Sequence, residues 1–500
     1  MFEGVFLLPY CFFTVLCGLP LFLLETVMGQ FTQEGVVTCW TKICPLAQGT
    51  GYFIIIIQIY FRVYTIVLAW IVFYLINSFR GTLPWATCNN PWNTGEYITE
   101  VKPIQHIFQH NIDQLESYKQ NLKPSIHPSI HPSILYRLSG VGSRGQQPKK
   151  RSPDFPLPSY FFQLVRGDPQ AFPDHTLHCL YSNSEELGTV RWELLLCLLA
   201  CWIACYFCIW KGVQSTGKVV YFTAIFPYVM MAILLIRGLM LPGALQGLVF
   251  YLYPDVSRLA DLQVWMDACS QVLFSYGVSA GTLITFGSYN KLKNNCCRDC
   301  LWLSVLNAST SFVAGFVVFS TLGFMAQAQG VPIDMVAESG PGLAFIAFPQ
   351  AIAMMPLPQL WAVCFFFMLL LLGIDTMFAG LEALISAMID LFPGEMRRPW
   401  RREAGLLIFC CTCFIVQICL TTEGGVYLFE LVDYYGCSGT CILFGSLIQC
   451  LAVGWAFGAE QMCNAVEEIT GQRPWLLYKL CWRYFTPLLS LVSCTKQESD

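Results

Sequence analysis

The sequence predicts an all-α protein that lies in a lipid bilayer, and three observations predict it. Of its 500 residues, 55% are hydrophobic and only 12% charged, with a mean hydropathy of +0.55; so much apolar surface cannot be folded around one water-soluble core. Apolar runs long enough to cross a hydrocarbon layer of ~30 Å, which takes roughly 20 helical residues, recur along most of the chain. Most basic residues lie in the segments between those runs, where they meet water and set orientation.

From the N-terminus the expected spans are 2–28, 51–79, 192–210, 218–237, 264–289, 301–326, 359–389, 404–421 and 427–458, with an incomplete one near 476–492. They form a single transmembrane domain over 1–500, with about nine complete spans and one partial. Lys291, Lys293 and Arg298 follow one span and Arg397, Arg398, Arg401 and Arg402 follow another, while 327–358 has neither lysine nor arginine. Short basic loops stay on the cytoplasmic side, so 290–300 and 391–403 are placed inside and 327–358 outside. Counting back puts Lys211 and Lys218 inside, and 80–190 and Met1 outside. An initiator methionine on the far face, abutting an apolar helix, leads to the expectation that an earlier span precedes it.

Other composition signals exclude more than they assign. The net charge of −4 says nothing about nucleic acid, and with no continuous basic stripe no nucleic-acid partner is expected. Most of the 25 cysteines sit inside apolar runs, such as Cys197, Cys201, Cys205 and Cys208, where a thiol behaves as a small hydrophobe. Neither a disulfide framework nor a zinc site follows. Segment 80–190 is the one long hydrophilic stretch, and its low-complexity part, 123–153, contains the repeat Pro124-Ser125-Ile126-His127-Pro128-Ser129-Ile130-His131-Pro132-Ser133-Ile134. Such sequence buries too little apolar area to offset the entropy of ordering it. A metal tract is the weaker reading, because the prolines keep the chain extended and only two histidines belong to the repeat.

The chemistry-bearing residues lie inside the spans. Asp375 follows the apolar run 360–374, where a carboxylate calls for a cation or a bonded partner. The Thr376 hydroxyl and, if the helix loosens, the Leu372 carbonyl add the oxygen ligands a hard cation such as sodium prefers; an aspartate bonded to an adjacent helix is the alternative. Span 264–289 carries Gln271 and Ser275 one turn apart, then Ser275-Tyr276-Gly277-Val278-Ser279-Ala280-Gly281, the pattern of a helix interrupted at mid-membrane with backbone groups turned to a ligand. Asn307 and Ser311 share one face of the next span. Hydroxyl and amide donors of Tyr10, Gln271, Ser275 and Ser311 suit a chloride, and the Asn307 oxygen suits sodium. Singly, each is an ordinary interhelical hydrogen bond; their occurrence together is what points to a site.

Leu23–Gln30, Cys208–Val213, Ser215–Phe222, Val264–Ala268, Gly287–Asn290, Glu338–Phe345 and Leu372–Asp375 resemble signatures of the neurotransmitter:sodium symporters. Ser215–Phe222 and Phe274–Gly277 are most similar to the branch for GABA, taurine, betaine and creatine. The resemblance covers about 2–95 and 185–490. It implies a 5+5 inverted-repeat helix bundle, interrupted around Ser275–Gly281, that carries sodium and chloride with a small zwitterionic amino or guanidino acid across the plasma membrane. It places Leu372, Asp375 and Thr376 in one sodium site, and Ser275 and Asn307 in the other. Tyr10, Gln271, Ser275 and Ser311 match the chloride site. Tyr64 matches the tyrosine that meets the substrate carboxylate, with Phe274, Gly277 and Ala280 lining the pocket. Asp433 corresponds to the outer-gate acid, Tyr289 and Asp390 to inner-gate residues. Cys88 matches one partner of an outer-loop disulfide, with Cys179 as the candidate for the other.

Departures from the pattern set the alternative. The family's first span and the last one to two are not found between Met1 and Asp500, Arg62 is unusual at its position, and 80–190 has no glycosylation sequon. The alternative is a truncated, non-transporting member or gene-model fragment, able to associate with full-length homologues; on that view the chain as written does not catalyse coupled uptake. No nucleophile–base pair, nucleotide loop or zinc-protease motif supports an enzyme.

Overall fold

The computed structural model describes residues 4–86, 189–210, 213–253, 256–336, 343–396, 398, 400–422, 424–436 and 439–497. In hydrocarbon every backbone N–H and C=O must be met within the chain, which the helix alone does segment by segment. The described residues accordingly form helices and no strand, the one β pairing being an isolated bridge between Val190 and Thr422. In chain order the helices are α1 (Leu7–Thr32), α2 (Val36–Ile43), α3 (Pro45–Ser78), α4 (Trp192–Ile209), α5 (Val213–Leu239), α6 (Ala244–Leu252), α7 (Leu262–Ser275), α8 (Thr282–Tyr289) and α9 (Cys296–Gln329). They continue as α10 (Leu343–Ala353), α11 (Pro358–Leu391), α12 (Arg401–Thr421), α13 (Gly425–Gly436), α14 (Cys441–Thr470) and α15 (476–497). Eight stretches among the described residues are long and apolar enough to cross a bilayer: α1, α3, α4, Tyr221–Leu239 of α5, α9, α11, α12 and α14.

Span 264–289 is broken as expected, into α7 and α8. Expected span 427–458 is instead α13 followed by α14, which runs on to Thr470. Glu460, Glu467 and Glu468 end the apolar run in the sequence, but charges past the membrane boundary do not end a helix. The same cause lengthens α9 and α11 beyond the expected 301–326 and 359–389. The partial span 476–492 is helical through Gln497. The low-complexity stretch 123–153, Cys88 and Cys179 lie outside the described residues.

Two principal cores flank the site. One gathers α1, α2, α7, α8, α14 and α15 with the start of α9, around Leu21, Leu24, Met28, Val272, Ile284 and Trp482. The other gathers the outer half of α3 with α4, α11, α12 and α13, around Ile66, Trp70, Leu198, Phe366, Phe378 and Phe429. In the first, α8 lies against the inner half of α1 at backbone contact: a Cβ on Gly29 would stand 1.9 Å from the Ile284 carbonyl oxygen, and one on Gly287 2.4 Å from the Thr26 oxygen. Small residues permit the close helix approach that packing in lipid depends on.

Candidate functional site

The break between α7 and α8 organises the site. Gly277, Ser279 and Gly281 all have positive φ, at 64°, 62° and 72°, a turn no regular helix contains. Gly281 is fixed twice over, since a Cβ there would also meet Ile54 Cγ2 at 2.5 Å. Backbone groups freed by the break are met from other helices. Ser279 N–H donates to buried Glu25 Oε1 at 2.7 Å, and the Ala280 carbonyl accepts from Gln58 Nε2. Glu25 of α1 and Gln58 of α3 thus hold two adjacent residues of the break.

Behind Gln58 stands a relay. Arg62, 4% exposed, donates to Gln58 Oε1 at 2.9 Å and to the Met377 carbonyl of α11 at 3.2 Å. Its own carbonyl accepts from Gln417 of α12 at 2.7 Å, and Trp202 of α4 donates to Gln417 at 3.1 Å. Gly380 makes room for the guanidinium, as a Cβ there would lie 2.1 Å from Arg62 Nη2. A carbonyl of the broken helix is therefore joined through two side chains to α11, one residue beyond Thr376.

Ser275 and Asn307 are brought together. Asn307 Nδ2 donates to Ser275 Oγ at 2.9 Å, and Asn307 Oδ1 stands 3.3 Å from the same oxygen, so α7 and α9 bring two hard oxygens close together. Tyr10 is buried and its hydroxyl meets no hydrogen-bond partner; Ser311 and Gln271 are exposed. On α11, Thr376 Oγ1 donates to the Leu372 carbonyl at 3.1 Å, and the Thr223 hydroxyl of α5 donates to Asp375 Oδ1. Asp375 thus has the adjacent-helix partner that the sequence left open. α11 stays helical through this stretch, so Leu372 is not released by any local loosening.

Tyr64 sits in a 3-10 turn within α3 and donates to Asp433 of α13, with its ring 5.9 Å from that of Phe429. Phe274 is half exposed, its ring 6.2 Å from Phe61, and Ala280 is buried. Tyr289 donates to Glu382 of α11 at 3.0 Å, and Arg402 of α12 holds Glu382 at 3.3 Å. Asp390 lies against Gly35, where a Cβ would come within 1.8 Å of its carboxylate. Sequence reasoning assigned no role to Glu25, Gln58, Thr223, Glu382 or Arg402. Only Glu25 and Glu382 gave a signal, as acids within otherwise apolar runs.

Paired oxygens at a broken helix, a carboxylate within a neighbouring span, a tyrosine–aspartate bond on one side and an ion pair on the other fit a secondary transporter of the discontinuous-helix class. The chain belongs to the sodium:neurotransmitter symporter family, whose model matches residues 3–129 and 166–498. It is 45% identical over 98% of its length to the sodium- and chloride-dependent GABA transporter 2 of Rattus norvegicus, and 46% identical over 97% to the protein of that name from Homo sapiens. It is 44% identical over 97% to the sodium- and chloride-dependent taurine transporter of Bos taurus. It spans 73%, 72% and 71% of those relatives. Among solved structures, MhsT, crystallised with L-phenylalanine, shares the fold with a TM-score of 0.67 at 20% identity, over 98% of this chain and 90% of that one.

Proposed function

We propose that this protein couples sodium and chloride to the symport of a small zwitterionic amino or guanidino acid of the GABA, taurine, betaine and creatine class, across the plasma membrane. The observation that carries the reading is the Ser275–Asn307 pair set beside the α7/α8 break. The Ser275 and Asn307 oxygens take one sodium, and Asp375 with Thr376 and the Leu372 carbonyl takes the other. Chloride sits among Tyr10, Gln271, Ser275 and Ser311, its charge offsetting that of the first sodium. The substrate carboxylate meets the Tyr64 hydroxyl, and the rest of the molecule lies along Phe274, Gly277 and Ala280. Asp433 closes the outer side, and Tyr289 with Asp390 the inner. The family and the named relatives support the ions and the substrate class, and association with homologous chains is part of the same reading.

Tracer flux of GABA, taurine, betaine and creatine into vesicles tests it. Accumulation of at least one, driven by an inward sodium gradient and lost when gluconate replaces chloride, is the expected result. Equal flux with and without the gradient for all four is the result that overturns it.

A further inference from the structure

Four side-chain oxygens near the break are covered by protein and meet no hydrogen-bond partner: Tyr10 Oη, Thr14 Oγ1, Tyr276 Oη and Ser304 Oγ. Tyr10, Tyr276 and Ser304 are 8%, 6% and 4% exposed. An unmet buried hydroxyl costs on the order of 1–3 kcal/mol, so a polar guest among them would be stabilised. Ser304, Asn307 and Thr14 stand near enough to the Tyr276 hydroxyl to act on it as weak hydrogen-bonding neighbours, short of a formed bond, and Tyr10 acts on it from farther off. Its ring is set against α1 at Gly18, where a Cβ would meet Tyr276 Cε2 at 3.0 Å.

The backbone is irregular on two sides of this cluster. α1 widens into a π-helical turn over Thr14–Gly18, and α7 ends at Ser275 with Tyr276 as its cap. Irregular backbone at membrane depth is tolerated where it lines a cavity or packs on protein, and π-turns collect at functional positions. Position along the helices adds direction. By the loop charges α1 and α7 run inward and α9 outward, so Thr14 lies one turn nearer the cytoplasm than Tyr10, and Ser304 nearer than Asn307 and Ser311. The cluster is a second layer beneath the candidate chloride site, on the same three helices.

Its chemistry suits an anion. Every group facing Tyr276 is neutral, and two of the hydroxyls are phenols, which donate hydrogen bonds better than they accept them. We propose that Thr14, Tyr276 and Ser304, with Tyr10 shared between layers, form an inner halide station through which chloride passes from its coupling site toward the cytoplasm. This rests on the chloride reading of Tyr10, Gln271, Ser275 and Ser311 given above, and adds a station that those residues do not define.

The test needs no transport. The full chain in lipid nanodiscs is melted in sodium gluconate with chloride titrated in, following tryptophan fluorescence. Ser311→Ala weakens the outer layer and is expected to leave a residual, weaker chloride stabilisation. Adding Tyr276→Phe, which keeps the ring on Gly18, is expected to raise the half-saturating chloride concentration of that residual response roughly ten-fold, the worth of one hydrogen bond to an ion. Ser304→Ala and Thr14→Val, each in the same background, are expected to act in the same direction and so cover a Tyr276→Phe chain that does not fold. A residual response unchanged by these substitutions assigns the cluster to water and overturns the proposal, as does its complete loss in Ser311→Ala alone. Failure of the parent reading looks different: the unsubstituted protein then shows no chloride response at all.

Discussion

A carboxylate at the centre of a membrane helix costs about 2.5–3.5 kcal/mol on the insertion scale, and at Asp375 the Thr223 hydroxyl meets part of that cost. One hydroxyl leaves the negative charge in place, and in the proposed function sodium neutralises it. Asp375→Asn is therefore expected to abolish sodium-dependent uptake in tracer flux, whereas Thr223→Val, which only loosens the carboxylate, raises the half-saturating sodium concentration and leaves maximal uptake within about two-fold. Uptake by Asp375→Asn with unaltered sodium dependence removes the residue from the site. Ser311→Glu fixes a negative charge where chloride would bind, so uptake is expected to persist in gluconate; loss of uptake without chloride, as in the parent, removes Ser311. Asp375, Asn307 and Ser275 were legible because polar groups in apolar runs stand out energetically. The bonds that hold the broken helix were not. Glu25 and Ser279, bonded to each other, lie 254 positions apart, and Gln58 and Ala280 lie 222 apart, distances over which spacing carries no information about contact.

At the scale of the element, the α7/α8 break was legible from Ser275–Gly281, since Gly277 and Gly281 adopt positive φ without penalty. What holds the break open was hidden, because it is made by α1 and α3. Gln58 ties the Ala280 carbonyl to Arg62, and Arg62 ties it on to α11. Gln58→Leu removes both ends of that tie at nearly constant volume. Its expected effect is faster amide exchange of 276–281 in hydrogen–deuterium measurements, with α1 unchanged, and a fall in maximal uptake of several-fold with the substrate KM moved less. Unchanged exchange over 276–281 would show that Glu25 alone holds the break. The contact of α8 with α1 is less forgiving. Gly29→Val places carbon atoms inside the distance to the Ile284 oxygen, and forcing helices apart in a packed core costs roughly 1–3 kcal/mol or more; a lower melting temperature and reduced surface expression are expected. The helix ends escaped the sequence for a simpler reason, that hydropathy marks the membrane boundary and α14 crosses it.

For the whole molecule, alternating access requires that the core holding α1, α7 and α8 move against the core holding α4, α11 and α12. In this structure contacts are made on both sides at once: Tyr64 with Asp433 between α3 and α13, and Tyr289 with Glu382 and Arg402 between α8, α11 and α12. The second set joins the two cores directly, and on the proposed gating role its strength sets how often the cytoplasmic side opens. Glu382→Gln keeps the shape of the side chain and its bond from Tyr289 but removes the charge that holds Arg402. Glu382 is buried, so the lost attraction is only partly screened by water. Each 1.4 kcal/mol withdrawn from the closed form raises the open population about ten-fold. The reporter is Phe286→Cys on α8, half exposed and one turn from Tyr289, labelled from the cytoplasmic face by an impermeant thiol reagent over the parent's background. Glu382→Gln is expected to increase that labelling and to lower maximal uptake from the outside, while charge reversal of the pair, Glu382→Arg with Arg402→Glu, restores both toward the parent. Labelling unaffected by Glu382→Gln would mean that Tyr289 alone, or Asp390 against Gly35, keeps the cytoplasmic side shut, and that the Glu382–Arg402 pair belongs to the fixed core instead.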